Sequence, residues 1–280
     1  MHWSKTKCPI CHQPLTLTAK SLVCNARHTY DLSKEGYANL LIANQKKSKN
    51  PGDNKLMIDA RRAFLELGEY DFLIKKIATF LEDSISIFDA GCGEGYYLDK
   101  LSSGKGYGMD ISKSAIKIAA KKYKHLHFIV GSVYQIPVLD ESFDTIISIF
   151  SPTHFKEFHR ILNAQGKVIL VTAAPNHMQS IAAIIYDKFK PHSQKTSFDF
   201  DKGFELIHDE IITKTLHLTS NETILNLLKM TPYYWNTVPE KLEKFTQLKT
   251  LDVEAGFRIR VFTRASLQLH QPHLSNAHLT

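Results

Sequence analysis

The chain has 280 residues, 43% of them hydrophobic and 22% charged, which is typical of a globular protein with one sizeable core and a small appendage. Lysine and arginine outnumber aspartate and glutamate by 35 to 28, giving a formal net charge of +7, a balance that suits a polyanionic partner but also occurs in proteins that bind no nucleic acid. Charges, prolines and cysteines within residues 1–20 argue against a secretory signal, and no run approaches the roughly 20 apolar residues of a membrane-spanning helix, so we expect a cytoplasmic protein without membrane contact.

Two pairs of metal-binding side chains open the chain. Cys8 and Cys11 are separated by two residues, Cys24 and His28 by three, and twelve residues lie between the pairs. This spacing is typical of tetrahedral structural zinc, and a full set of four protein ligands leaves no open position for hydrolysis. Zinc would supply about 10 kcal/mol to a segment too short to fold on an apolar core alone. His12 competes with His28 as the fourth ligand, and a redox pair or buried thiols are the alternative for Cys8 and Cys11.

The next region is polar and then helical. Residues 44–54 read Asn-Gln-Lys-Lys-Ser-Lys-Asn-Pro-Gly-Asp-Asn, a composition that predicts a flexible linker or an RNA-facing loop. Apolar residues at helical spacing over 56–81, interrupted at Gly68, predict two helices. Candidates for phosphate contacts, with solvated surface charge as the alternative, are Lys46, Lys47, Lys49, Arg61 and Arg62.

From residue 86 onward, short apolar strands alternate with amphipathic helices, which is typical of a sheet built from βα units. The strands are predicted at 86–90, 106–110, 127–130, 143–149 and 167–172. Helices are predicted near 95–102, 114–123 and 153–162. The expected fold class is therefore α/β, with a doubly wound, Rossmann-like sheet and a small zinc-ribbon-like module at the amino terminus.

A glycine-rich turn follows the first of these strands. Asp89, Gly91, Gly93 and Gly95 form the pattern D-x-G-x-G-x-G of the nucleoside-binding turn in Rossmann-like methyltransferases. Glycine lets the backbone approach a ligand closely at the carboxyl edge of a parallel sheet. Asp110 ends the next strand, where an acidic residue accepts hydrogen bonds from ribose hydroxyls. A nicotinamide fold is the alternative, although its motif has the longer spacing G-x-G-x-x-G.

Several longer motifs resemble one family, the 23S rRNA guanine-N1 methyltransferases, including the macrolide and tylosin resistance members. They are Cys-Pro-Ile-Cys-His at 8–12, Lys-Glu-Gly-Tyr at 34–37, Asn-Leu-Leu at 39–41, Pro-Gly-Asp at 51–53, Ala-Arg-Arg-Ala-Phe-Leu at 60–65, Asp-Ala-Gly-Cys-Gly-Glu-Gly-Tyr-Tyr at 89–97 and Met-Thr-Pro at 230–232. The resemblance implies a class I fold that transfers a methyl group from S-adenosylmethionine to N1 of a guanine in a hairpin loop of 23S ribosomal RNA. The chain departs from the family at 151–154, where Ser-Pro-Thr-His replaces Ala-Pro-Cys, and after Arg264.

The resemblance also implies roles for individual residues. It implies that zinc is bound by Cys8, Cys11, Cys24 and His28, as the spacing alone also indicates. It implies that S-adenosylmethionine is bound by Tyr70, Gly93, Glu94, Asp110 and His177. Without the resemblance, Tyr70 and His177 would be read as ordinary core or helix residues. The aromatic segment 230–235 is either a helix that ends at proline with core aromatics or a wall on which a flipped guanine stacks. No residue is nominated as the base that removes the N1 proton.

The expected organisation has four parts: a zinc-binding module at 1–35, a linker and helical connection at 36–70, a methyltransferase domain at 71–270 and a disordered tail at 271–280. Two other functions fit parts of the sequence. One is methylation of a small molecule such as a quinone or lipid precursor, since the same sheet hosts those reactions. The other is a non-catalytic zinc-bearing RNA-binding or resistance factor. Enzymes of this type often act as dimers, so a homodimer is an open alternative to a monomer.

Overall fold

The computed structural model describes residues 3–45, 52–81, 84, 86–186, 191–192 and 203–265. The predicted tail at 271–280, the centre of the predicted linker at 46–51, and with it the candidate phosphate contacts Lys46, Lys47 and Lys49, lie outside the described residues. Among the described residues, no helix is both long and apolar enough to cross a membrane.

The amino-terminal module, residues 3–35, contains a three-stranded antiparallel sheet. Its strands are β1 (Thr16–Thr18), β2 (Ser21–Val23) and β3 (Thr29–Asp31). A short strand, β4 (Ala38–Asn39), follows and pairs in parallel with the large sheet. The predicted connection at 36–70 therefore contributes an edge strand as well as a linker.

The two helices predicted over 56–81 are present as α1 (Lys55–Leu65) and α2 (Asp71–Ala78). The Asn54 side chain caps α1 by accepting a 3.0 Å hydrogen bond from the Met57 N–H, which satisfies a donor that the first turn of a helix leaves unpaired. Gly68, with φ of +77°, ends the first helical segment because glycine adopts the left-handed conformation without strain.

All five predicted strands and all three predicted helices of the α/β region are confirmed. They are β5 (Ile87–Ala90), α3 (Tyr96–Leu101), β6 (Gly106–Asp110), α4 (Lys113–Lys122), β7 (His127–Val130), β8 (Phe143–Ile149), α5 (Phe155–Ile161) and β9 (Leu162–Ala173). Their strands pair in parallel in the order β9-β8-β5-β6-β7-β4. The order reverses between β5 and β8, and this switch point at the carboxyl ends of the strands is where such sheets bind ligands.

The sheet extends beyond the last predicted strand. After α6 (Gln179–Ile185), β10 (Phe204–Leu218) and β11 (Leu251–Arg264) form a long antiparallel pair, and β11 joins β9 in antiparallel register. Three helices lie between them: α7 (Asn221–Lys229), α8 (Pro232–Trp235) and α9 (Pro239–Gln247). The completed eight-stranded sheet is therefore mixed rather than wholly parallel.

Buried apolar residues form two clusters. The smaller cluster contains Trp3, Leu15 and Leu22 of the amino-terminal module together with Phe88 and Met109 of the large sheet. The module is thus packed onto the large sheet through a shared core, and the two parts are not joined by a linker alone.

Candidate active site and metal centre

A large cavity lies at the switch point of the sheet. Its volume is about 780 Å³, within the range of about 300–1,000 Å³ usual for ligand sites. The glycine turn, the ends of β6, β7 and β8, and the segments 173–178 and 230–233 all contribute to its wall. We call this space the central cavity.

The glycine turn takes the form expected from its sequence. Gly91, Gly93 and Gly95 have φ values of +87°, +54° and +86°. A Cβ atom on Gly91 would lie only 2.3 Å from the Cβ of Ser151. The N–H groups of Gly91 and Cys92 both donate to the Met109 carbonyl, at 2.8 and 3.0 Å. The turn is therefore held close to β6 and leaves no space for a side chain at position 91.

Asp110 lies beside this turn and lines the central cavity. Its two carboxylate oxygens accept hydrogen bonds from the N–H groups of Gly93, at 2.9 Å, and Ser112, at 2.7 Å. Burial raises the pKa of Asp110, and these two hydrogen bonds oppose the shift. Each oxygen retains further acceptor capacity, so the side chain is fixed in place and still available to a ligand hydroxyl.

Tyr70 and Glu94 carry unsatisfied polar atoms. Within the described part of the chain, the hydroxyl of Tyr70 and Oε2 of Glu94 are buried without a hydrogen-bond partner. Both residues line the central cavity. Buried polar groups are normally paired, so these atoms indicate where a bound ligand would supply the missing partners. This fits a polar nucleoside cofactor beside the glycine turn.

Glu94 carries a prediction about stability. Burial raises its pKa to about 7 from 4.5, although Lys122 and Arg61 oppose the shift. Protonation of Glu94 therefore stabilises the folded state. This stabilisation is complete below about pH 4.5 and is lost as the pH rises through 7. We expect Glu94→Gln to stabilise the ligand-free protein by about 3 kcal/mol at pH 8 and by much less at pH 5, as measured by urea unfolding.

Glu66 provides the matched control for this experiment. Its pKa is lowered by the hydrogen bond from Lys122, 2.6 Å away. Since the ionised form of Glu66 favours folding, Glu66→Gln should not stabilise the protein at pH 8. Equal stabilisation by Glu94→Gln at both pH values would contradict the assigned pKa.

His177 also lines the central cavity and is buried. Burial lowers its pKa to about 4, and the neighbouring His192 adds to the shift. The Gly256 N–H donates to Nδ1 of His177 at 3.2 Å, so the neutral ring carries its proton on Nε2. The ring is thus held in one orientation as an uncharged group.

Two predicted cofactor residues support the turn from behind. Asp89 is buried within β5, where burial and the Asp110 carboxylate raise its pKa. Gly95 is the N-cap residue of α3, and a Cβ there would lie 3.0 Å from the Phe128 ring. The structure therefore brings Tyr70, Gly91, Gly93, Glu94, Asp110 and His177 onto the cavity wall and places Asp89 and Gly95 outside it.

The aromatic segment 230–235 differs from one of its two sequence interpretations. Pro232 begins α8 rather than ending α7, and none of the α8 residues is buried. Tyr233 and Tyr234 pack against the edge of the core and are only partly buried, and Trp235 is 44% exposed. Residues 230–233 instead line the central cavity, which fits the alternative of a wall for a base.

Phe150 is a cavity residue that the sequence did not reveal. It follows β8 with φ of +54°, a conformation that costs a bulky residue about 1–3 kcal/mol. Its side chain is 49% exposed and lines the cavity. No local pattern identifies a positive φ at phenylalanine, so only the folded structure shows this feature.

The four predicted zinc ligands converge at one point. The ligand atoms of Cys8, Cys11, Cys24 and His28 all lie within 4.8 Å of one another. Sγ of Cys11 and Cys24 are 3.5 Å apart, and Nδ1 of His28 lies 3.5 and 3.4 Å from Sγ of Cys8 and Cys24. Tetrahedral zinc with Zn–S bonds of about 2.3 Å needs separations of this size. These residues fit a structural zinc ion.

The chemistry of the Cys8 thiol suits a metal ligand. Burial raises its pKa, but backbone hydrogen bonds from Cys11 and Ile10 and a contact with the Tyr30 hydroxyl outweigh burial and lower the pKa to about 6. Thiolate is the form that binds zinc. All four cysteines of the chain are free thiols.

The zinc module is hydrogen-bonded to the segment 135–139, which directly follows one wall of the central cavity. Its Lys7 N–H donates to the Pro137 carbonyl at 3.0 Å, and the Leu139 N–H donates to the Lys5 carbonyl at 2.8 Å. The Gln135 side chain donates to the carbonyl of Pro9, between the first two cysteines, at 3.4 Å. Because residues 131–134 line the cavity, the metal module braces the segment that completes this wall.

Comparison with known proteins agrees with both parts of this architecture. The family model described as "RlmA, N-terminal", a zinc ribbon, matches residues 6–49. The model described as "Methyltransferase domain" matches residues 88–170.

Among curated relatives, YxjB of Bacillus subtilis (strain 168), provisionally named a 23S rRNA (guanine-N(1)-)-methyltransferase, is 30% identical over 276 residues, covering 92% of this chain and 97% of that protein. The 23S rRNA (guanine(748)-N(1))-methyltransferase of Streptomyces fradiae is 26% identical, covering 85% of this chain and 88% of that protein. A demethylmenaquinone methyltransferase of Thermotoga maritima matches only 28% of this chain and 38% of its own, at 30% identity.

The matches to the two proteins named for rRNA methylation extend over most of each chain, whereas the match to the demethylmenaquinone methyltransferase covers less than a third of this chain. This chain belongs to the 23S rRNA (guanine-N1)-methyltransferase family, with a class I S-adenosylmethionine-dependent methyltransferase fold and an amino-terminal zinc ribbon.

Proposed function

We propose that this chain transfers a methyl group from S-adenosylmethionine to N1 of a guanine in a hairpin loop of 23S ribosomal RNA. The observation that carries the proposal is the central cavity, in which the nucleoside-type glycine turn, the half-exposed Phe150 ring and the segment 230–233 line one space. Family membership supports the same reaction, because the relatives matched over most of their length are named for it.

The proposed cofactor site is formed by Tyr70, Asp89, Gly91, Gly93, Glu94, Gly95, Asp110 and His177. Asp110 would accept the ribose hydroxyls with the acceptor capacity that its backbone hydrogen bonds leave over. Tyr70 and Glu94 would pair their buried polar atoms with the cofactor. Gly91 and Gly93 admit it because neither carries a side chain, while Asp89 and Gly95 shape the turn from behind.

The cofactor supplies a methyl group already activated by the sulfonium charge, so the reaction is a single displacement in which a C–S bond breaks and an N1–C bond forms. The N1 proton must leave as well. What the protein contributes is alignment of the two reactants and exclusion of water. Neutral His177 is suited to hold a polar group in place, and the residue that accepts the N1 proton is unassigned.

Two lysines of the zinc module interact with the large sheet and the segment that leads into it. Lys5 donates to the Ser142 carbonyl and lies over the Phe143 ring, and Lys7 pairs with Asp140 at 3.5 Å. Both therefore help to attach the zinc module to the sheet. Lys20 and Arg27 of that module are exposed and are the better candidates for phosphate contacts.

Incubation with tritiated S-adenosylmethionine and either ribosomal RNA or total lipid tests the proposal. Label in RNA, with a primer-extension stop at one guanine, is the expected result, because an N1 methyl group blocks base pairing. Label in lipid would favour a small-molecule methyltransferase. A protein that labels neither would act as a non-catalytic factor.

We also propose a cytoplasmic location, where bacterial ribosomal RNA is processed. We further propose that the protein forms a homodimer, which sedimentation of the zinc-loaded protein would test.

A further inference from the structure

Phe150 is held in its unusual conformation by its neighbours. Its N–H donates to the Val171 carbonyl at 3.0 Å. The next residue, Ser151, is fixed by hydrogen bonds from its hydroxyl to the Ala90 carbonyl and between its hydroxyl and that of Ser148, 2.8 Å away. Glycine or asparagine would adopt the left-handed conformation more easily, so a phenylalanine here indicates a requirement for the ring itself.

The conformation places an aromatic ring inside the central cavity instead of the core. Ile146 and Ile147, earlier in β8, are fully buried, whereas Phe150 is about half exposed. The Phe257 ring supports it from the sheet, with centroids 5.7 Å apart in an edge arrangement. An apolar ring that is braced in this way and still exposed in a cavity is suited to contact a ligand.

Phe150 begins a continuous series of rings along the cavity. Its centroid lies 5.8 Å from that of His177, His177 lies 5.9 Å from His192, and His192 lies 6.3 Å from Tyr233. We call these four residues the aromatic wall. It links the strand end beside the glycine turn to the segment 230–233, and Phe150 is the member of this wall whose neighbour Ser151 packs against Gly91.

We propose that Phe150 is the platform on which the extruded target guanine stacks, positioning its N1 edge toward the cofactor. This inference rests on the proposed function and assigns a specificity-determining residue to it. Stacking on an aromatic face holds a base in one plane. Because Phe150 follows the strand adjacent to the one that carries the glycine turn, a base on its face lies beside the cofactor end of the cavity.

The test compares Phe150→Leu with Phe150→Tyr. Leucine keeps an apolar side chain but cannot stack, and tyrosine keeps the ring. With zinc-loaded full-length protein and a 23S rRNA fragment containing the mapped guanine, we expect Phe150→Leu to lower kcat/KM for RNA about 5- to 100-fold. Phe150→Tyr should stay within about threefold of the unaltered protein. Calorimetry should give both variants the Kd for S-adenosylmethionine of the unaltered protein.

A second measurement reads the stacking directly. The fluorescence of RNA carrying 2-aminopurine at the target position should be quenched when the RNA binds to the unaltered protein or to Phe150→Tyr. Binding to Phe150→Leu should quench it less. Equal kcat/KM in all three proteins, or a Kd for S-adenosylmethionine that rises in parallel with the loss, would overturn this inference alone. Absence of RNA methylation by the unaltered protein would overturn the proposed function as well.

Discussion

Replacing Gly91 by alanine is expected to abolish cofactor binding and methylation. The new Cβ would lie 2.3 Å from the Cβ of Ser151, and the residue would have to keep a φ of +87°. Ser151 cannot easily retreat, because its hydroxyl is bonded to Ala90 and Ser148. The turn must therefore shift, and with it the Gly93 N–H that fixes Asp110. We expect the Kd for S-adenosylmethionine, measured by calorimetry, to rise at least about 100-fold.

Gly104→Ala is the matched control for this substitution. Gly104 has a similar φ of +82°, but the nearest atom to an added Cβ is 4.0 Å away, so this variant introduces the backbone strain of about 1–2 kcal/mol without the clash. It should bind the cofactor normally. Ser151→Gly removes the obstructing Cβ and should restore part of the affinity in the Gly91→Ala background. Normal binding by Gly91→Ala would contradict the close packing of the turn.

The sheet that carries the site was predictable because its signals are local. The strands predicted between 86 and 172 are short apolar runs, the helices among them have a period of their own, and each boundary agrees with the structure to within about five residues. The segment 251–264 also alternates apolar and charged residues, as in Val253, Glu254, Phe257 and Arg258. That period of two is a strand signal, and it could have predicted β11.

Pairing between distant strands leaves no such local trace. β10 and β11 form 14 residue pairs, the first between Phe204 and Arg264. Three helices lie between the two strands in the chain. Which strand each would join depends on the closure of the whole sheet. The mixed character of the sheet therefore had to come from the structure.

The candidate site divides in the same way. Glycines, Asp110 and the cysteine spacing are identified by residue type, because few other side chains could replace them in those roles. The role of Tyr70 depends on burial of a hydroxyl without a partner, and that of Phe150 on a positive φ and exposure within a cavity. These are properties of the assembled fold, and the family resemblance was needed to indicate Tyr70 and His177 from sequence.

The position of the zinc module on the sheet could not be predicted from the sequence, and it has consequences for the mechanism. Its spacing predicts a metal site but gives no information on what the folded module touches. In the structure, Trp3, Leu15 and Leu22 share a buried cluster with Phe88 and Met109 of the sheet. Loss of the metal should therefore affect the catalytic unit as well as the module.

We expect His28→Asn to lose zinc and to weaken cofactor binding, although His28 does not line the central cavity. Zinc contributes about 10 kcal/mol to the folding of such modules, so the module should unfold without it. The hydrogen bonds between Gln135 and Pro9 and between Lys7 and Pro137 would then be lost. The adjoining wall of the cavity would lose its support. The Kd for S-adenosylmethionine should rise about 5- to 100-fold, and the thermal unfolding midpoint should fall.

His12→Asn is the matched control, because His12 lies beside Cys11 but is not among the four clustered ligands. Asparagine tolerates the φ of +62° at this position, so the substitution should leave zinc content, unfolding midpoint and cofactor affinity unchanged. Elemental analysis of both variants connects the loss of affinity to loss of the metal. If His28→Asn lost its zinc and still bound S-adenosylmethionine as tightly as the unaltered protein, the module would not be bracing the cavity, and the contacts of Gln135 and Pro137 would serve only to attach it.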